Sequence, residues 1–236
     1  MRRSTFSLVR GFLAGLLLCL LPPLAGAGSV SVPGAVGSLD VSVESMKDLR
    51  FRSVVPQEYD FSCGSAALAT LLTYHYGRPT VETDTFDGMF RVGDQDRIRT
   101  EGFSMLDMKH YLAREQGMSS DGFRIGLAEL DELGIPAIAM IETRGYRHFV
   151  VIKGVEDDRV LVGDPALGVK AYTRHGFEEV WVNDILFLIR DEVATARASF
   201  NHPETWQVVT RSPVERGVQR DGLAGFTLNL PRASEW

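Results

Sequence analysis

From Gln57 to Gly77 the chain reads QEYDFSCGSAALATLLTYHYG, a polar and aromatic lead-in followed by an almost unbroken apolar run. Ser62, Cys63, Gly64 and Ser65 are poor helix-interior residues and good starters, and the strong helix formers from Ala66 to Tyr76 continue until Gly77 and Pro79. This predicts a helix with Cys63 in its first turn. Ala66, Leu68, Ala69, Leu71 and Leu72 spread around most of the circumference, which predicts a buried helix.

The other patterns arrange themselves around that helix. Gly28 to Arg52 is polar and β-leaning, with Val30, Val32, Val41 and Val43 set among Ser, Pro, Gly and Asp, and predicts one or two short strands in a flexible lead-in. Val81 to Phe90 predicts a short helix and Gly93 to Gly102 a polar loop. Ser104 with Asp107 three residues on is a helix start, and Met105, Met108, Tyr111 and Leu112 carry the helix to about Glu115. His110 lies on that helix as a surface or half-buried histidine with no partner at its spacing. Gly122 to Arg124 reads as a short strand and Leu127 to Leu133 as a short helix stopped by Gly134.

From Pro136 the period changes to that of strands. Pro136 to Glu142, His148 to Val155, Arg159 to Asp164 and Ile185 to Ile189 are short apolar or β-branched runs bounded by Gly, Asp and Pro. Val169, Ala171 and Tyr172 suggest a further strand and Gly176 to Val180 a helical turn. Helices first and an antiparallel sheet second give an α+β domain, in which a residue on a helix faces residues on strands. After Arg190 the pattern loosens, with isolated Phe200, Trp206, Phe226 and Trp236 read as packing residues. The chain thus divides into residues 1–27, 28–50 (lead-in), 51–190 (domain) and 191–236 (C-terminal extension).

Residues 1–27 carry Arg2, Arg3 and Arg10, an apolar run from Gly11 to Leu21, then Pro22, Pro23 and Ala25-Gly26-Ala27. This reads as a secretory signal peptide cut after Ala27, with an uncleaved anchor as the competing reading. Its removal leaves about 209 of 236 residues, enough for one domain with extensions. It also takes the basic count from 25 to 22 against 31 acids, a formal net charge of −9, and with no basic stripe this argues against a nucleic-acid partner. Cys19 leaves with the signal, so Cys63 is the single cysteine of an exported chain and has no internal disulfide partner. A lone cysteine is often no more than a buried apolar residue. At a helix N-terminus, where unpaired N–H groups are equivalent to roughly +0.5 charge, it is also placed to be a nucleophile with a lowered pKa.

Such a thiol needs a base, and the base an orienting group. His148 opens the run His148-Phe-Val-Val-Ile-Lys-Gly154, and its ring is expected at the sheet edge, near the helix start. Asp164 stands in Val162-Gly-Asp-Pro165; if the two strands pair through Asp157-Asp158, it shares an end of the hairpin with His148 and can accept the imidazole N–H. Both also have plainer readings, an edge-strand polar residue and a turn aspartate. Gln57 either caps its loop or, with the Cys63 N–H, donates to an oxyanion, a contribution of about 10²–10³ in turnover per donor. Asp60 is left out, because an acid beside a thiolate opposes its ionisation.

Gln57 with Cys63-Gly64 six residues on, His148-Phe-Val-Val and Gly163-Asp-Pro165 resemble the C39 peptidases, papain-like bacterial proteases that remove double-glycine leader peptides from exported peptides. The resemblance covers roughly residues 50 to 190. It implies a papain-like α+β fold, Cys63 as nucleophile, His148 as general base and acid, Asp164 as orienter and Gln57 as oxyanion donor. Ser62 stands where many members have an acid, and no transporter follows, as many members have. With the signal peptide, this resembles the stand-alone exported C39 proteins, including those of functional-amyloid secretion systems.

The expectation is a periplasmic cysteine endopeptidase with no metal or cofactor. Its partner is a polypeptide substrate, a secreted protein or amyloid subunit cut after a double-glycine-type site, with other secretion components as further partners. The alternatives are a cell-wall peptide hydrolase and a peptidase-like module that docks an export substrate without cutting it.

Overall fold

A computed structural model describes residues 28–34, 37–43 and 45–209, with side chains from residue 45 onward. The proposed signal peptide and residues 210–236 lie outside the described residues. The chain divides into two compact units, Met1–Ser45 and Met46–Trp236. In the first, β1 (Gly28–Gly34) and β2 (Gly37–Val43) form an antiparallel hairpin with Gly28 opposite Val43.

The second unit opens on a short helix, α1 (Met46–Phe51), where a lead-in was expected. The cysteine helix α2 (Cys63–His75) follows. Every residue from Cys63 to Leu72 is buried, as its all-round apolar pattern predicts. α3 (Glu82–Val92) packs on it, with the Thr85 hydroxyl 3.0 Å from the Ser65 carbonyl of α2. The expected loop after Gly93 is instead α4 (Gln95–Glu101). Asp94 makes that helix, its carboxylate accepting the N–H groups of Asp96 and Arg97, and Gly102, at φ 78°, ends it. α5 (Met105–Tyr111) starts with the Ser104/Asp107 capping box read from the sequence and runs on as a π turn through Leu112–Gln116.

β3 (Ser120–Phe123) and α6 (Leu127–Leu133) lead to the main strands. These are β4 (Ala137–Thr143), β5 (Tyr146–Glu156), β6 (Arg159–Asp164), β7 (Gly168–Thr173) and, after the short α7 (Arg174–Glu178), β8 (Trp181–Ile189). The sheet is antiparallel in the order β3-β8-β4-β5-β6-β7. β4 and β5 turn at Arg144-Gly145, both with positive φ, the tight hairpin form that matches strand twist. β5 and β6 turn at Asp157-Asp158, as expected, with Glu156 opposite Arg159.

β5 is therefore an interior strand, and His148, its third residue, is buried and not at the sheet edge as expected. Burial drives this placement, because Phe149 to Val155 is apolar on both faces except at Lys153. Beyond the sheet, α8 (Val193–Ser199) and α9 (Pro203–Val208) show that the start of the C-terminal extension is built structure. Ala196 and Phe200 join the main core, and Asn201 sits on Gly154 of β5 so closely that a Cβ there would lie 2.1 Å from the Asn201 amide oxygen.

Candidate active site

Cys63 is the first residue of α2 and is 8% exposed. Gly64 beside it has no room for a side chain: a Cβ would lie 3.0 Å from Phe103 Cβ and 3.4 Å from Phe149 Cδ2. The bare glycine lets the first turn press against β5. In consequence the backbone N–H of Phe149, the neighbour of His148, donates to the Cys63 sulfur, as does that of Gly64. Burial nevertheless pushes the thiol up from its ordinary value, and the Asp164 charge adds to this. The lowered pKa expected from the helix start is not what the surroundings give, because at this depth desolvation of the thiolate outweighs the N–H donors.

The imidazole is held from behind. His148 Nε2 lies 3.0 Å from Asp164 Oδ2, and both side chains are buried. Asp164 Oδ1 accepts the N–H groups of Ala166 at 2.9 Å and Leu167 at 3.3 Å, so one carboxylate oxygen fixes the turn after β6 and the other is left for the histidine. A carboxylate accepts only, so the Nε2 proton donates to it and Nδ1 is the basic nitrogen. Nδ1 is buried with no hydrogen-bond partner. His148 and Cys63 line one cleft of about 560 Å³, whose walls include Phe61, Phe103, Met105 and Met140. Tyr146 stacks on the His148 ring at 5.5 Å, and its hydroxyl donates to the carbonyl of Asp60 on the loop before α2.

Gln57 is brought beside this group but not into the cleft. Its backbone N–H donates to the Pro165 carbonyl at 3.0 Å, which ties the loop before α2 to the turn that carries Asp164. Its side-chain Nε2 donates to the Tyr59 carbonyl at 3.0 Å, and Oε1 is buried without a partner. It lines a neighbouring cavity with Pro165 and Ala166. The amide nitrogen has a second N–H beyond the one given to Tyr59.

A thiol at the head of a buried helix, a histidine lining the same cleft and a carboxylate behind that histidine make an arrangement suited to acyl transfer. The description "Peptidase C39 family" matches residues 52–192. The chain belongs to the peptidase C39 family. Over 174 residues, 74% of this chain and 76% of the relative, it is 45% identical to a Pseudomonas aeruginosa protein named "Probable functional amyloid protease FapD". Its identity to a Pseudomonas fluorescens protein of the same name is 44% over 180 residues, 74% of this chain and 79% of that one. Among solved structures, the peptidase domain of Streptococcus ComA superposes with a TM-score of 0.49 at 20% identity, over 58% of this chain and 96% of that domain. This C39 peptidase is a cysteine peptidase of α+β fold.

Two features of this C39 peptidase's cleft were not singled out from the sequence. One is Tyr146, whose signal was a large aromatic residue two places before His148. The other is α4, which brings Arg97 and Arg99 to the cleft rim and was hidden in a stretch read as loop because Asp94 was not taken as a cap. Asp60, set aside for its carboxylate, contributes through its carbonyl.

Proposed function

We propose that this C39 peptidase is an exported endopeptidase in which Cys63, His148 and Asp164 cut a secreted polypeptide through a thioester. The observation that carries the assignment is the Asp164-bound His148, with a bare Nδ1, on the same cleft as Cys63. As the Cys63 sulfur attacks the scissile carbonyl carbon, its proton passes to His148 Nδ1. Asp164 steadies the imidazolium that forms. His148 then gives that proton to the leaving amine as the C–N bond breaks and the thioester remains. Water, deprotonated by the same nitrogen, hydrolyses the thioester. The Cys63 N–H, at a helix start, has no carbonyl partner within the helix and lies toward its own sulfur, where it can serve the oxyanion, with the Gln57 amide as a second donor once redirected.

A thiol this enclosed favours a scissile carbonyl with little side chain around it, which supports a site after glycine residues. Two relatives are named for functional amyloid, which supports an amyloid subunit or a companion of its export as substrate. The signal-like residues 1–27 support a periplasmic location, with other secretion components as neighbours. The test is incubation of the purified protein, and of Cys63→Ala, with a polypeptide carrying a double-glycine site, followed by mass analysis. Fragments ending in glycine, produced by wild type alone, are expected; an uncut polypeptide with bound but unchanged protein would sink the assignment.

A further inference from the structure

The other end of the α2/β5 pair carries a second polar centre that the peptide chemistry does not use. His75, the last residue of α2, and Lys153 of β5 are 3% and 2% exposed, and His75 Nε2 lies 2.9 Å from Lys153 Nζ. Lys153 Nζ also donates to the Ser53 carbonyl at 2.9 Å and lies 5.4 Å from the centre of the Tyr74 ring. His75 Nδ1 lies 2.8 Å from Ser199 Oγ of α8, whose hydroxyl donates to the Ala196 carbonyl at 2.8 Å. With Lys153 protonated, one pattern of protons satisfies the chain: Lys153 donates to Nε2, Nδ1–H donates to Ser199, and Ser199 donates onward. It requires a neutral His75.

We propose that His75 and Lys153 are positioning residues that lock α2 to β5 from the end opposite Cys63 and His148, and that acid releases the lock. The lengths agree. From Cys63 to His75 the helix advances about 18 Å, and from His148 to Lys153 the strand advances about 17 Å. Helix and strand are thus fastened at both ends, by the Phe149 N–H on sulfur and by Lys153 on His75, so the helix cannot slide along the strand without breaking one fastening. Protonation of His75 would set two donors face to face at 2.9 Å.

The centre can exchange protons, because a cavity of about 500 Å³ reaches it. The charged or titratable groups that face it there are Arg52, Tyr74 of α2, and His202 and Glu204 at the start of α9. Burial lowers Lys153 to about 7, and burial with the Lys153 charge holds His75 well below 6.5. Both groups bind protons more readily in the unfolded chain. Stability therefore rises with pH from about 7 to 10.5 through Lys153, and falls as the pH drops below 6.5 through His75.

Positioning rests on the proposed peptidase reading, and the test separates the two. Thermal midpoints and iodoacetamide alkylation rates of Cys63 are measured from pH 5 to 9 in wild type, His148→Ala and Lys153→Met, on full chains shown folded by circular dichroism. In wild type the unfolding equilibrium constant is expected to fall by up to roughly tenfold per pH unit above pH 7, and Lys153→Met to lose that slope. The His148-dependent acceleration of alkylation is expected to drop at least fivefold in Lys153→Met even where its midpoint equals or exceeds that of wild type. If Lys153→Met does not fold, Ser199→Ala is read instead, with a smaller loss of acceleration in the same direction. An unchanged slope, or acceleration retained with its pH profile, overturns the lock. A wild type with no His148-dependent acceleration overturns the peptidase reading, and the slope still decides whether the buried lysine titrates.

Discussion

Two histidines stand at opposite ends of one helix-strand pair, and their partners make them different reagents. His148 gives its Nε2 proton to Asp164, so Nδ1 is buried without a partner on a ring that lines a cleft with a thiol, and a carboxylate stands behind to steady any imidazolium. His75 accepts from an ammonium, so its basic nitrogen is occupied and a positive charge opposes protonation. The same ring is a base at one end and a fixed neutral bridge at the other. Both rings are buried; at His75 burial is the larger cause of the lowered pKa and the Lys153 charge adds to it, whereas behind His148 stands a carboxylate.

The sharpest break in this comparison is at the cleft. Cys63→Ala and His148→Ala are expected to lower the rate of peptide cleavage by about 10⁴-fold or more, Cys63→Ala with a melting profile near that of wild type and His148→Ala with a lowered one because Asp164 loses its buried partner, with turnover checked on one substrate. Asp164→Asn keeps an acceptor for Ala166 and Leu167 but can present an amide N–H to the imidazole, so about 10²–10⁴ in turnover is expected to go. The pH dependence comes next. Burial raises the Cys63 pKa, so the folded protein keeps its thiol proton after the unfolded chain has begun to lose one near 9.0, and stability from this group falls as pH rises above that value. Alkylation in His148→Ala should accordingly demand a higher pH than in the urea-unfolded chain, whereas wild type, with a proton acceptor at Nδ1, should react at lower pH than the variant.

Smaller effects test the fastening itself. Gly64→Ala puts a methyl group 3.0 Å from Phe103 Cβ and 3.4 Å from Phe149 Cδ2, so β5 must give way. A loss of about 1–3 kcal/mol in urea unfolding is expected, with turnover reduced further than stability alone explains. Tyr146→Phe removes the hydroxyl on the Asp60 carbonyl but keeps the ring on His148, and should cost about 0.5–1.5 kcal/mol in stability with a change of a few fold in KM.

The front of this comparison was far more legible in the sequence than the back. Cys63 announced itself by breaking helix propensity at the head of an apolar run, and Asp164 by its turn beside a strand, because both sit where regular elements start and stop. The depth of His148 was not legible, since strand order decides which strand is interior and no local pattern encodes it. Lys153 stood in plain view inside His148-Phe-Val-Val-Ile-Lys-Gly154, a charge in a buried run, yet its partner lies 78 residues away and could only be found in space. The thiol's pKa failed for a related reason: the helix start is local, whereas desolvation belongs to everything packed around it.

The seating of Asn201 on Gly154 has a practical side. The family match stops at residue 192, but Asn201 N–H donates to the Lys153 carbonyl and its amide to the Val155 carbonyl, so Asn201 laces onto the middle of the strand that carries His148. A chain trimmed to the family boundary would uncover Gly154 and leave the Lys153 and Val155 carbonyls without their Asn201 donors. Anyone grafting or shortening this protease must therefore treat the segment through residue 209 as belonging to its smallest autonomous unit.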